Sequence, residues 1–279
     1  RPELVAGISV RMATILPSIA AIAYLWWRLR LLPQDREDAA GDALDETCGR
    51  ILSYLAGGLL GLLFRFEFGL SGVALRWSLA MLALFVAGHL LRDADLRMQG
   101  YLLAGAVFLR AVGFDFHQGG PILGVDGPLA ITVVGVLCYL TSGFLIRDRN
   151  TAAEGSRAPD RRSLALEAQI AAIGPDLLFS LAIALPAIYL YRTRSGFMLI
   201  VAWAIEGLCA TAAGFAAEAR ALRLSGLGLL GVALALTLVK ALTTFDTVGR
   251  IVSFIVLGVV LLVISFGYTH YRGSGRRAA

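Results

Sequence analysis

The sequence predicts an all-α polytopic membrane protein: a bundle of about nine transmembrane helices, built from two parallel four-helix repeats plus one N-terminal helix. Three observations predict it. Of the 279 residues 58% are hydrophobic and only 16% charged, against roughly 45–50% and about 25% in a soluble domain. The mean hydropathy is +0.75. The apolar residues fall in long runs without the period-two alternation of a barrel strand. These observations exclude a water-soluble enzyme, a secreted disulfide scaffold and a disordered tail.

A bilayer core of ~30 Å needs ~20 apolar residues in a helix, and lipid requires each span to satisfy its own backbone hydrogen bonds. Nine stretches approach that length: 4–27, 51–66, 72–91, 98–112, 129–146, 170–191, 197–217, 222–242 and 251–268. Two connections, 33–50 and 147–162, are long and polar; in the first, Asp35-Arg36-Glu37-Asp38 and Asp42…Asp45-Glu46 read as a solvated loop, with a surface helix between the first two spans as the alternative. The segment 115–128 (DFHQGGPILGVDGP) reads as a re-entrant or surface loop. The organisation expected is residues 1–50 (first span and polar loop), 51–150 (first repeat) and 151–279 (linker and second repeat).

The net charge is +5. In a soluble protein such a balance would suggest nucleic acid as a partner, but here the basic residues flank apolar runs, where they set topology and face headgroups. With nine spans, sixteen of the 25 Lys and Arg lie on one side and nine on the other. The richer side is the cytoplasmic one, which puts the N-terminus outside and the C-terminus inside a bacterial cytoplasmic membrane. Cys48 falls in a polar segment, Cys138 and Cys209 in apolar runs, and no CxxC or Cys/His cluster joins them. No cofactor or metal is expected.

Two segments align without a gap, WSLAMLALFVAGHLLRDADLRMQG from Trp77 and WAIEGLCATAAGFAAEARALRLSG from Trp203. At a constant offset of 126 residues, Trp77 meets Trp203, Gly88 meets Gly214, Arg97 meets Arg223 and Gly100 meets Gly226. A weaker likeness joins Gly135…Ser142 to Gly258…Ser265. Four helices per repeat insert both copies the same way up, related by an axis along the membrane normal. Trp77, Trp203, Gly100 and Gly226 read as helix-packing positions, because small residues let membrane helices approach closely.

The last ~75 residues carry a pattern: Trp203, Leu222-Arg223…Gly226, Lys240, Asp246, Arg250, Ser253-Phe254, Leu257-Gly258 and Tyr268…Arg272. It resembles the C-terminal region of the DUF2339 family of bacterial multi-pass membrane proteins. Members of that family are usually longer and have no established activity, so the resemblance implies a membrane-helix fold and no particular chemistry.

The candidate binding residues are Glu206, Lys240, Asp246, Arg250, Arg110 and Asp115. Glu206 lies about ten residues into the seventh span, where an ionised carboxylate costs ~2.5–3.5 kcal/mol or more. It is therefore expected to point into the bundle towards a polar partner from another span. Asp246 can cap the ninth span, with Arg250 at i,i+4 and Lys240 nearby. Arg110 lies near the end of the fourth span and Asp115 opens the 115–128 loop, both on the outer face with Arg76. Either a structural ion-pair cap or an outward-facing anion or headgroup site fits these residues. His89 and His270 offer no further haem pattern, and no nucleotide-binding or hydrolase motif occurs. No catalytic residue is assigned. The first expectation is a non-catalytic scaffold or subunit of a larger cell-envelope complex, whose partners are lipids and other membrane subunits, with no nucleic acid. The second is a transporter or lipid/glycan-handling protein with a polar cleft around Glu206.

Overall fold

The computed structural model describes residues 4–5, 8–31, 39–67, 72–91, 93–118, 120–122, 124–153 and 164–243, and parts of 247–265. The apolar runs form helices, as lipid demands of any chain that must satisfy its backbone internally. They are α1 (Val10–Leu31), α2 (Ala39–Glu67), α3 (Val73–Leu90), α4 (Ala94–Arg110), α5 (Phe116–Gln118), α6 (Gly127–Ala153), α7 (Leu164–Thr193), α8 (Gly196–Ala216) and α9 (Arg220–Thr243). A π-helical turn, Ala111–Asp115, joins α4 to α5. Among the described residues, five helices are long and apolar enough to cross a membrane: α3, and stretches of α6 (Gly127–Arg147), α7 (Ile173–Thr193), α8 and α9 (Arg220–Lys240). Shorter apolar stretches, Thr14–Trp26 and Thr47–Leu63, lie in α1 and α2. The ninth run is described only in pieces, and those pieces are helical.

Several details differ from the sequence expectation. The chain does not enter its first helix at Leu4: Leu4–Val5 and Ile8–Ser9 pair as a small antiparallel hairpin, with Val5 opposite Ile8. Both are β-branched, which favours an extended backbone. Residues 39–50, expected as part of a solvated loop, form the front of α2. Ala39, Ala40, Ala43 and Leu44 are strong helix formers, so the backbone there follows helix propensity despite the polar composition, as in the surface-helix alternative. The 147–162 connection is shortened in the same way, because α6 continues to Ala153. Residues 115–118, the front of the expected loop, are helical. Beyond them Ile122 is bridged to Val125, and Gly124 has φ +82°.

Two compact units result, Arg1–Val134 and Gly135–Ala279. The division falls inside α6. In the first unit, Met81 and Phe85 of α3 are fully buried with Ala104 and Val107 of α4. In the second, Trp203 and Leu199 of α8 pack with Ala187 of α7 and Ala233 of α9. Phe179 of α7 packs with Leu222 of α9 and with Phe144 of α6, ring edge to ring face at 4.9 Å.

Each unit contains a helical hairpin, and the two hairpins share a hydrogen-bond frame. The Trp77 indole donates to the Gly61 carbonyl at 3.2 Å, and the Trp203 indole donates to the Ala187 carbonyl at 2.9 Å. Donors and acceptors are both 126 residues apart. At the hairpin turns Leu91 N–H donates to Ala87 and Asp93 N–H to Gly88, while Ala217 N–H donates to Ala213 and Ala219 N–H to Gly214. A Cβ on Gly88 would stand 2.8 Å from Arg97 Cγ, and one on Gly214 would stand 2.6 Å from Arg223 Cγ. Glycine is needed at both places because the returning helix crosses directly over it.

Candidate functional site

The best-defined polar cluster lies at the α3 N-terminus. α3 starts after Gly72, whose φ of +69° suits glycine and which has no side chain with which to cap the helix. The cap comes instead from 41 residues away, where Asp115 Oδ2 accepts the Ala74 N–H at 2.9 Å. A carboxylate at a helix N-terminus satisfies an orphan donor and complements the helix dipole. The π-helical turn carries Asp115 to that position; such insertions re-aim the residues that follow them. Asp115 Oδ1 faces Arg110 Nη2 at 3.3 Å, with Asp115 buried and Arg110 largely so. The Arg110 guanidinium also covers the Phe114 ring, 4.8 Å from its centroid. Burial pushes the Asp115 carboxyl above the ordinary carboxylate range, opposed by the Ala74 amide and by the Arg110 and Arg76 guanidiniums. The structure thus brings together two of the candidate residues, Arg110 and Asp115, with Arg76, another polar residue the sequence puts on the outer face, and adds the Ala74 amide. Nothing in the sequence near Ala74 signals that contact.

Glu206 lies at the edge of the buried face of α8, flanked by Trp203 and Ala210. Both of its carboxylate oxygens are enclosed, and neither has a hydrogen-bond partner among the described residues. The expectation that it points inward agrees with that enclosure, whereas the expected polar partner from another span is not among the described residues. Lys240 is half-buried near the end of α9. Asp246 and Arg250 lie outside the described residues, so the proposed cap with Lys240 does too.

Gly100 and Gly226 are buried at helix crossings. A Cβ on Gly100 would stand 2.8 Å from the Phe85 ring, and one on Gly226 would stand 2.7 Å from the Gly207 carbonyl oxygen.

Two structural polar contacts were not singled out from sequence. Gln99 Nε2 donates to Ser53 Oγ at 2.6 Å, both buried, tying α4 to α2. Arg147, near the end of α6, donates to the Ala217 carbonyl at 2.6 Å and to the Glu218 carbonyl at 3.3 Å. Glu218 has φ +53°, a left-handed conformation unusual for a non-glycine residue. Arg147 neutralises the carbonyls that end α8, as a cation at a helix C-terminus does. A basic residue at the end of an apolar run was legible as an interfacial anchor, but its target 70 residues away was not. Among the described residues no group of three or more His, Cys, Asp or Glu could hold a metal ion.

No family model, curated protein or solved structure matches the chain.

Proposed function

We propose that this chain is a polytopic inner-membrane protein serving as a non-catalytic scaffold or subunit of a larger cell-envelope complex. The observation that carries this reading is how the clustered polar side chains are used. Asp115 caps α3, Arg147 closes the α8–α9 turn, Gln99 ties α4 to α2, and both indoles bond carbonyls of the preceding helix. Each of these contacts joins parts of the fold. Meanwhile α9 presents a broad apolar face, with Leu224, Val232, Leu238 and Val239 each more than half exposed. Gly228 and Gly231 on α9 have open space where a Cβ would stand. Such a face suits lipid or the close approach of another membrane helix.

The same reading takes the chain as related to the DUF2339 family, with nine spans, the N-terminus outside and the C-terminus in the cytoplasm. It takes α2–α4 and α7–α9 as the cores of two parallel repeats, supported by the hydrogen-bond frame repeated at an interval of 126 residues. Lipids and other membrane subunits are the partners, and nucleic acid is not. The test is extraction of the tagged chain from native membranes in mild detergent, with sizing and identification of co-purifying proteins. A discrete assembly well above the 29.7 kDa of one chain, with reproducible subunits, is the expected result. A lone chain that transports a solute in proteoliposomes would overturn the scaffold reading.

A second reading, a transporter or lipid/glycan-handling protein, is favoured by Glu206 alone. Buried polar atoms in native proteins are nearly always satisfied, so one that is not needs an explanation. A proton, a cation or a substrate group would provide one. Loss of a transport activity in Glu206→Gln, with the protein still folded and membrane-inserted, would establish it.

A further inference from the structure

Both units have a groove between their second and fourth helices, at matching positions. In the first unit Gly57, Gly58, Gln99 and Leu103 line it, with about 270 Å³ of space. In the second, the residues 126 positions on, Ile183, Ala184, Ser225 and Leu229, line a groove of about 370 Å³. Each groove has a polar level, Gln99 on Ser53 in one and Ser180 with Ser225 in the other. Above that level each becomes apolar.

The two grooves differ in charge at one end. In the first unit Tyr54 also lines a second hollow, of about 480 Å³, bounded by Thr47, Arg50 and Ile51. Arg50 stands immediately before the apolar run that starts at Ile51, which is headgroup level for a membrane helix. Its Nε is enclosed and faces Asp95 at 3.4 Å, while the side chain as a whole is 41% exposed, so the side chain is reached from the headgroup region. From Arg50 to Gly58 is about 12 Å along the helix at ~1.5 Å per residue. The surface thus runs from an accessible basic side chain, past a phenol and an amide, to a floor without side chains. In the second unit the position matching Arg50 is Asp176, an exposed acid.

We propose that the α2–α4 groove of the first unit binds an anionic glycerophospholipid, with its phosphate on Arg50 and an acyl chain along Gly58 and Leu103. The matching groove of the second unit does not select for lipid charge, because Asp176 repels a phosphate there. The small-residue floor alone does not discriminate among apolar occupants. The discrimination comes from the cation at one end and its replacement by an acid in the other unit.

The test is native mass spectrometry of the full chain, purified in detergent and incubated with equal amounts of dioleoyl-phosphatidylglycerol and dioleoyl-phosphatidylcholine. The expected preference for phosphatidylglycerol is about five-fold, equivalent to the ~1 kcal/mol that one basic residue contributes near an anionic surface. Arg50→Gln should bring the ratio to about one. Gly58→Leu fills the groove, and nothing lies within 4 Å of a Cβ at Gly58, so the fold should accept it while retention of phosphatidylglycerol falls. Ala184→Leu, its counterpart in the second unit, should leave the ratio unchanged. Equal retention of the two lipids by the unaltered chain would overturn the proposal. So would a ratio indifferent to Gly58→Leu and Arg50→Gln, or one abolished by Ala184→Leu. If Gly58→Leu instead dissolves a co-purifying complex without altering lipid retention, the groove holds a protein helix and the lipid site is refuted.

Discussion

In the α3–α4 hairpin the ring of Phe85 lies over Gly100, whereas in the α8–α9 hairpin the corresponding space is closed by Gly207, Gly226 and Thr211. A Cβ on Gly207 would stand 2.9 Å from the Gly226 carbonyl, and one on Gly226 would stand 2.7 Å from the Gly207 carbonyl. The first unit fills its crossing with side chains: Met81 and Phe85 are fully buried, and Phe85 meets Tyr101 edge to face at 5.0 Å. The second brings backbone against backbone, the mode that small residues permit in membranes. Both keep the indole bond and the glycine at the turn. One frame of main-chain and indole hydrogen bonds therefore tolerates two distributions of volume, provided the crossing is filled. The same freedom extends to charge. The first unit places Arg76, Arg110 and Asp115 at the end of its hairpin, and the second has Ala202, Leu236 and Ala241 at the matching positions. The second has Glu206 where the first has Ala80.

The largest effect expected from this asymmetry is at Asp115. Asp115→Ala leaves the Ala74 amide and the Arg110 guanidinium without their carboxylate, and removing one partner of a buried pair costs about 3–5 kcal/mol. The thermal midpoint of the purified chain in detergent should fall sharply. Leu236→Ala in the second unit should not match it, and equal losses would show that the cluster is not the distinctive brace of the first unit.

Gly226→Ala and Gly100→Ala come next and should separate the two packing modes. At Gly226 the new methyl meets main-chain oxygen, which can move only with its helix, and overpacking of this kind costs about 1–3 kcal/mol. At Gly100 it meets a ring that can shift on its own side chain, so the loss should be the smaller of the two. A reversed order of thermal midpoints would mean that the Phe85 ring is the more rigid element.

The indoles should give smaller and nearly equal effects. Trp203→Phe and Trp77→Phe each remove one hydrogen bond, and interhelical hydrogen bonds in membranes average ~0.6 kcal/mol. Trp203 is the more buried and stacks on Tyr191 at 6.2 Å, so it should lose slightly more. A loss confined to one of the two would break the shared frame.

Much of the frame was legible because its signals are local. Hydropathy identifies the apolar runs, and the ungapped likeness pairs Trp77 with Trp203 and Gly100 with Gly226. Polar segments were ambiguous because hydropathy does not separate a polar helix from a loop: residues 39–50 are acidic and helical at once. The sites were less legible because their contacts span the chain. Asp115 was visible as an outer-face polar residue at the start of a loop, but its role as the α3 cap depends on a residue 41 positions away and on a π-helical turn that no residue pattern announces. Gln99 with Ser53 and Arg147 with Ala217 are separated by 46 and 70 residues, beyond the reach of helical periodicity.

The smallest effect is expected at Glu206, where the comparison between the units is sharpest. Ala80 shows that the first unit's version of the hairpin forms without a carboxylate there. In the second unit both Glu206 oxygens are enclosed with no hydrogen-bond partner among the described residues. An ionised carboxylate in that position would carry a large desolvation cost, while a neutral side chain of the same shape would not. Glu206→Gln should therefore change the thermal midpoint by less than the equivalent of about 0.5 kcal/mol, the range of substitutions that disturb no packing feature. Glu206→Ala removes an unsatisfied buried group at the expense of a small cavity, and these terms oppose each other. Its loss should stay well below that of Asp115→Ala. If Glu206→Gln instead lowers the midpoint as far as Asp115→Ala does, the carboxylate is ionised and held by a cation. The difference between the two units would then be one buried ion pair against another, in place of an ion pair against a solitary acid.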